Sequence, residues 1–437
     1  MQENTIVAPM THAGVSAVSA LRVSGPDTRS VLQKIFHKEA ALPRRAYFAK
    51  AFAINSDKEI DSLLFIYFEA PHSYTGEDTL EIFPHGNPLI VKELIQNILK
   101  IENVRLALPG EFTKRAFLNG KLDLVQAASV GDLIHSKSIA ALENAKKLLS
   151  GKFSEKVQEL SKKVLEFSAR VELDVDFSEE EDNPDTKDWP FILKEIQDKI
   201  DYLLTHFREA TAINKMPLVV IYGKPNAGKS SLINALLEED RLLVSSVPGT
   251  TRDFIEVRLF LPGGEIRLID TAGLSENPVS ELDALSMKKS RKILEEADLK
   301  IHLIDAAENI FDEKPETDDE IIVYSKTDKV KIPQGKFGIS SKTKEGLKKL
   351  SEILNNKLFA EQKETEDFWI TSERERLCLE SAKDNISRAS EILNTNFAVE
   401  LIAFEMQMAR KSLQSITGEI SSETILQSIF AGFCIGK

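Results

Sequence analysis

The sequence predicts a multidomain α/β plus α chain: an N-terminal α+β domain, then a helical domain into which a doubly wound α/β domain is inserted. Three observations carry this expectation. Short β-like runs broken by Pro and Gly fill residues 1–118. Helical apolar spacing marks residues 119–212 and returns over 365–437. Between them, in 213–364, short buried-type strands alternate with helices, the signature of a parallel sheet.

The N-terminal block holds the runs 17–23, 63–68 and 79–83. In the second block Val157, Leu160, Val164, Phe167 and Val171 fall on one helix face, as do Ile192, Ile196, Ile200, Leu203 and Phe207. The acidic stretch 177–184 between them reads as a solvated loop. The third block opens at Pro217, with apolar runs at 218–221, 266–269, 300–304 and 321–324. Residues 254–261 and 265–269 flank Pro262, Gly263 and Gly264 and read as an edge hairpin. In the last block Leu379, Ala382, Ile386, Ala389 and Leu393 share a helix face.

Of 437 residues, 42% are hydrophobic and 29% charged, the balance of a soluble globular protein. The chain starts with neither a basic nor an apolar run, and no stretch approaches the ~20 apolar residues that cross a bilayer. Cys378 and Cys434 are the only cysteines, which fits a reducing, cytoplasmic setting without membrane contact. The net charge of −13 argues against an unaided grip on nucleic acid, so a local basic face or a second protein has to supply it for any RNA partner.

The run 218–221 leads into Gly223, Lys224, Pro225, Asn226, Ala227, Gly228, Lys229 and Ser230, and a helix-like segment follows from Ser231. This strand–loop–helix pattern turns backbone amides toward phosphate oxygens, adds the helix dipole, and gives Lys229 reach to the terminal phosphates. Ser230 offers a hydroxyl to Mg2+. About twenty residues on, Thr250 and Thr251 occupy a switch position, with Thr251 a second Mg2+ ligand. Asp270, Thr271, Ala272 and Gly273 end a strand: Asp270 faces the magnesium and the Gly273 amide the γ-phosphate. Ser325, Lys326, Thr327 and Asp328 end the next strand but one, where a carboxylate matches the adjacent donors of guanine. Ser340, Ser341 and Lys342 suit contact with guanine O6. Ordered motifs at strand ends point to GTP and GDP rather than adenine nucleotides. Two departures stand out. The guanine motif opens with Ser325 in place of the usual Asn, and Leu274 stands where Ras-like proteins carry a water-orienting Gln.

The segments 21–26 (Leu21 to Pro26), 109–124 (Pro109-Gly110-Glu111-Phe112-Thr113-Lys114-Arg115 onward) and the ending Cys434-Ile435-Gly436-Lys437 lie outside any generic nucleotide fold. With the motifs above, they resemble the MnmE (TrmE) family of tRNA-modification GTPases, from residue 5 to the last. The stretch 83–88 resembles a family Gly-His-Gly-Gly-Pro segment less closely.

The resemblance implies a tetrahydrofolate-binding-like N-terminal domain that dimerises, and a helical domain carrying the tail toward the folate. It implies a homodimer working with a separate FAD-dependent partner, MnmG, which also holds much of the tRNA. The implied product is an aminomethyl or carboxymethylaminomethyl group on the wobble uridine, its one-carbon unit taken from 5-formyl- or 5,10-methylene-tetrahydrofolate. Hydrolysis is implied to use K+ and paired G domains, with Asn226, Ser245, Val247 and Thr250 at the potassium and Ser246, Pro248 and Gly249 in the same nucleotide-facing loop. Asp283 aligns with the family's water-orienting glutamate, one methylene shorter, and Glu281 is the alternative. Arg252 is a nearer cation without a family role. Arg22, Glu81, Lys121 and Lys437 match folate-contacting positions, and Cys434 matches the family's terminal cysteine, catalytic or packing. A GTP-controlled assembly factor without one-carbon chemistry is the competing reading; the folate-type segments weigh against it. A stand-alone folate-dependent methyltransferase would need no GTPase motifs.

Overall fold

The computed structural model describes residues 4–176, 186–239, 255–270, 292–360, 367–395, 398–433 and 436. The chain separates into two compact units: Met1–His135, Asn144–Phe207 and Asp367–Lys437 form one, Ser136–Glu143 and Arg208–Glu366 the other.

The first unit begins with strands β1 (Thr5–Pro9), β2 (Ser16–Val18), β3 (Leu21–Ser24), β4 (Ala46–Phe52), β5 (Glu59–Phe68), β6 (Thr79–Phe83), β7 (His85–Gly86) and β8 (Val104–Leu106). Six form one sheet in the order β4-β5-β6-β3-β1-β8, while β2 and β7 make a separate ribbon. The apolar run 17–23 is therefore two strands, not one. Its two halves have different partners, β2 pairing β7 and β3 pairing β1 and β6. Alternation along β5 turns Leu63, Phe65 and Tyr67 inward. Helices Thr28–Phe36 and Pro88–Ile98 cover that face with Val31, Leu32, Ile35, Leu94 and Ile98. The second helix starts where its sequence says it should: the Asn87 side chain accepts from Leu89 N, and Pro88 takes the first turn.

The same unit contains the helical bundle Lys152–Asp176, Trp189–Thr205, Glu373–Thr395 and Val399–Thr417. Val157, Leu160, Val164, Phe167 and Val171 are buried together with Ile196, Ile200, Leu379, Ala382, Ile386 and Ala389. Phe207 falls beyond its helix, which ends at the C-cap His206. It instead forms a parallel bridge with Ile370, and Ile370 N donates to His206 O at 2.9 Å. Among the described residues, no helix is long and apolar enough to cross a membrane.

The second unit is a five-stranded sheet of β9 (Leu218–Tyr222), β10 (Ile255–Leu261), β11 (Gly264–Asp270), β12 (Leu299–Asp305) and β13 (Glu320–Ser325), ordered β10-β11-β9-β12-β13. All neighbours are parallel except the β10–β11 hairpin. Both faces are buried, which is why these strands read as continuous apolar runs. Val219 and Ile221 pack under helices Lys229–Glu239 and Leu347–Phe359, while Leu218 and Val220 face the other side with Ile269.

Candidate nucleotide site

The second unit's parallel strands deliver their C-terminal ends to one edge of the sheet, and those parts of the predicted motifs that fall among the described residues sit there. After β9 the loop closes on Gly223, whose φ of +145° and approach to Leu303 O (an added Cβ would lie 2.2 Å away) require glycine. Asn226 and Gly228 follow at φ +64° and +95°. Alternating with right-handed residues, such positions form the amide-lined nest that cradles phosphate.

Lys229, 8% exposed, heads the helix and donates from Nζ to the carbonyls of Gly223 (2.9 Å) and Lys224 (3.1 Å). Burial pushes its ammonium below the usual lysine range, and the Asp270 carboxylate opposes that. Ser230 Oγ donates to Asp270 Oδ2 at 2.6 Å. Asp270 is 1% exposed, and its Oδ1 has no hydrogen-bond partner among the described residues. A buried orphan carboxylate oxygen beside a hydroxyl is a donor set that fits a hard cation.

The end of β13 adds the base-facing side. Ser325 is buried and donates to Ala227 O at 2.6 Å and Ile304 O at 3.3 Å. Lys326, at φ +58°, reaches Asn226 O (2.7 Å) and Asp305 Oδ2 (2.6 Å). Thr327 N bonds Ile339 O. Asp328 is exposed and accepts from Ser340 Oγ at 2.7 Å, a bond that holds its carboxyl below the usual carboxylate range. The buried Ser340 is followed by half-buried Ser341 and exposed Lys342, after an isolated Tyr324–Gly338 bridge rather than a full strand. Asn226, Ala227, Gly228, Lys229, Ser230, Asp270, Ser325, Lys326, Asp328 and Ser340 are thus brought to one place, with Ser231 in the first turn of the helix. Sequence reasoning missed Asp305 and Glu308, which pair with Lys326 and Lys224 at 2.6 and 2.8 Å. Their signal was an acid ending the strand β12. Ser245, Ser246, Val247, Pro248, Gly249, Thr250, Thr251, Arg252, Thr271, Ala272, Gly273, Leu274, Glu281, Asp283, Cys434 and Lys437 lie outside the described residues.

In the first unit, Arg22 and Glu81 face each other across β3 and β6. Arg22 donates to Glu81 Oε1 through Nε (3.1 Å) and Nη2 (2.9 Å), leaving Oε2 without a hydrogen bond among the described residues. The guanidinium lies over the rings of Tyr74 (4.8 Å) and Phe112 (5.5 Å). Lys121 is engaged elsewhere, donating to Pro71 O at 2.9 Å. Gly436 is buried at φ +100°, where a Cβ would sit 2.0 Å from Pro9 O. Since Ala8 pairs with Arg22, this places the penultimate residue at the end of the strand beside the Arg22–Glu81 pair. Sequence reasoning passed over Arg115, 5% exposed and bonded to both Glu77 and Glu111, although it lies inside the 109–124 segment.

A phosphate-type nest, a buried hydroxyl–carboxylate pair and a base-facing carboxylate on one sheet edge define the class: a P-loop guanine-nucleotide domain carried within a helical host. The model described as the MnmE helical domain matches residues 124–434, and that of the GTP-binding protein TrmE N-terminus matches 5–121. The chain is 37% identical over 448 residues to the tRNA modification GTPase MnmE of Aquifex aeolicus (strain VF5), covering 99% of each. It is 33% identical to that of Chlorobium chlorochromatii (strain CaD3), covering 100% of this chain and 98% of the relative. Against that of Dichelobacter nodosus (strain VCS1703A) it is 36% identical, covering 99% of each. Among solved structures, the G domain of the T. maritima FeoB iron transporter is similar at 28% identity, covering 32% of this chain and 98% of that one, with a TM-score of 0.24. The chain belongs to the family of tRNA modification GTPases MnmE.

Proposed function

We propose that this chain hydrolyses GTP to GDP and phosphate as a component of a tRNA wobble-uridine-modifying enzyme. The observation that carries the GTPase half is the buried Ser230–Asp270 pair with its orphan Oδ1, beside Lys229 and beneath the loop. On binding, the triphosphate takes over the Lys229 ammonium from the Gly223 and Lys224 carbonyls and fills the nest. Ser230 and Thr251 would hold Mg2+ directly and Asp270 through water, and the ion would supply charge neutralisation for the phosphates. Asn226, with Ser245, Val247 and Thr250, would hold K+ for the same purpose. A water oriented by Asp283, or by Glu281, attacks the γ-phosphorus; the new P–O bond forms as the bond to the β-phosphate oxygen breaks and GDP leaves.

The tRNA half rests on the family relationship and on the first unit. There Glu81 Oε2 suits the amino-pyrimidine edge of a folate, with Arg22, Lys121 and Lys437 as cations for its carboxylates. Cys434 sits two residues from Gly436 and would approach that site with the tail. In this reading the chain works in the cytoplasm as a homodimer with the FAD-dependent MnmG, 5-formyl- or 5,10-methylene-tetrahydrofolate and tRNA. Fluorescent GDP and ADP titrations test the first half: retention of guanine over adenine nucleotide is expected, and the reverse preference sinks it. Mass spectrometry of wobble uridines from cells lacking the chain tests the second, with loss of the 5-aminomethyl-type modification expected and an unchanged nucleoside profile decisive against it.

A further inference from the structure

We propose that Asp305 is a positioning residue of the nucleotide site. Through the Lys326 ammonium it fastens the phosphate loop to the base-facing strand and so sets how long a guanine nucleotide stays bound, a role that rests on the guanine-nucleotide reading above. Asp305 ends β12 and stands opposite Ser325, the last residue of β13. Its Oδ2 accepts from Lys326 Nζ at 2.6 Å, and the same ammonium donates to Asn226 O at 2.7 Å. The adjacent side chain grips the adjacent loop residue, Ser325 Oγ donating to Ala227 O at 2.6 Å. Two consecutive carbonyls of the phosphate loop are thus taken up by two consecutive side chains of the base motif.

The two grips differ in kind. A serine hydroxyl sits close to its own backbone, and the strand that carries Ser325 fixes it. A lysine ammonium ends a flexible stem and is strongly hydrated, so one neutral carbonyl is a weak anchor for it. Asp305 supplies a second, charged anchor. The Lys326 and Asp305 side chains are 31% and 17% exposed, so their pair is screened less than one on the open surface. Burial by itself would raise the Asp305 carboxyl, but the Lys326 ammonium and the Ala307 amide outweigh it and hold the acid below the usual carboxylate range. The carboxylate is itself fixed, because Oδ1 accepts from Ala307 N at 3.0 Å and caps the short turn Ala306–Glu308.

The consequence is a loop held ready. Asn226 at φ +64° and Lys326 at φ +58° both keep left-handed backbone, which residues other than glycine hold where their surroundings fix it. The Lys326 side chain joins these two places. One lies in the nest whose amides face the phosphates. The other opens the base motif, where the next amide, Thr327 N, donates to Ile339 O at 3.2 Å. A loop already in its phosphate-binding form loses less freedom when nucleotide arrives, and gains of that kind show chiefly in the dissociation rate.

Release of fluorescent GDP from the full-length chain, chased with excess GDP in a stopped-flow, tests this. Asp305→Asn keeps an oxygen to cap Ala307 N but removes the charge that faces Lys326. It should release GDP several-fold faster, with the association rate unchanged and the guanine-over-adenine ratio intact, since Asp328 keeps its own Ser340 bond. In a Lys326→Met background the same substitution should add nothing, because the group it acts through is gone. Asp305→Ser, which can cap but is too short to reach Lys326, serves if the Asn variant melts early, and should speed release in the same direction. An unaltered release rate in both variants would overturn the role. So would an equal acceleration by Asp305→Asn with and without Lys326, which would leave Asp305 only as the cap of its turn. A wild-type chain that retains no guanine nucleotide would overturn the guanine reading itself, and that outcome is seen without any variant.

Discussion

Ser325 donates its hydroxyl to the carbonyl of Ala227 at 2.6 Å, joining the end of the base-facing strand to the inside of the phosphate loop. Both groups are buried, so removing the donor leaves an unpaired acceptor in a dry place. Ser325→Ala should weaken GDP binding about tenfold, corresponding to about 1–2 kcal/mol. Isothermal titration measures this, and an unchanged affinity would show that the tie is idle.

Asp328, the proposed reader of the base, is exposed, and its Ser340 bond holds its carboxyl below the usual carboxylate range. Guanine preference should consequently be flat from pH 8 down to about pH 5, the carboxylate being an acceptor throughout. Asp328→Asn replaces one acceptor by a donor facing the guanine amine, and should cut the guanine-over-adenine ratio by roughly two orders of magnitude or more. Competition of fluorescent GDP by GDP and ADP in the two proteins gives the ratio.

GTP turnover should be several-fold faster in potassium than in sodium buffer. Asn226 stands at φ +64°, where alanine brings backbone strain, so Asn226→Gly is the cleaner deletion of the side-chain oxygen. That variant should lose most of the potassium advantage; steady-state phosphate release in both salts decides, and a preserved ratio reassigns the ion.

Glu375 is a buried acid in the first turn of the helix Glu373–Thr395, its carboxyl pushed up to about 7 by burial, against the pull of Arg374. Asp132 and Asp123 push in the same direction as burial. Its folded pKa lies above the unfolded value, so the folded chain binds the extra proton between about pH 4.5 and 7. Stability from this group is full below that window and falls as pH rises through it, by up to about 3 kcal/mol. Glu375→Gln should raise the melting temperature at pH 8 and lose the advantage at pH 4.5; thermal melts at the two pH values measure it.

Gly436 meets Pro9 O where no Cβ fits. Gly436→Ala should unseat the tail, lowering wobble-uridine modification several-fold with GTP turnover intact. Nucleoside mass spectrometry and phosphate release, run on the same variant, separate the two activities.

The nucleotide edge was legible because its chemistry is local: a strand end, a tight loop and a helix start lie within a dozen residues, and each motif is set at its own strand end. Lys229, Ser230, Asp270 and Asp328 stand out as candidates from motif spacing, and Asn226 from the family resemblance. Contacts between distant segments were not legible. Nothing in the run 17–23 signals that Val18 and Leu21 serve different sheets, because the switch depends on which strands arrive beside them. Nor does the periodicity that includes Phe207 reveal that the helix stops short, since a residue on the apolar face satisfies the pattern equally well as a bridge partner of Ile370. Arg115 stood inside a recognised segment: its pair with Glu111 is an i,i+4 contact on one helix, whereas its pair with Glu77, 38 residues away, follows only from the tertiary fold.

The Phe207–Ile370 bridge sets the two cut ends of the helical host side by side, about 5 Å apart as neighbouring strands are. A host with such a seam accepts a guest of any length between those two residues without stretching its own bundle. Evolution could splice a whole nucleotide-reading module into a pre-existing scaffold there, and an engineer could close the same seam with a short linker.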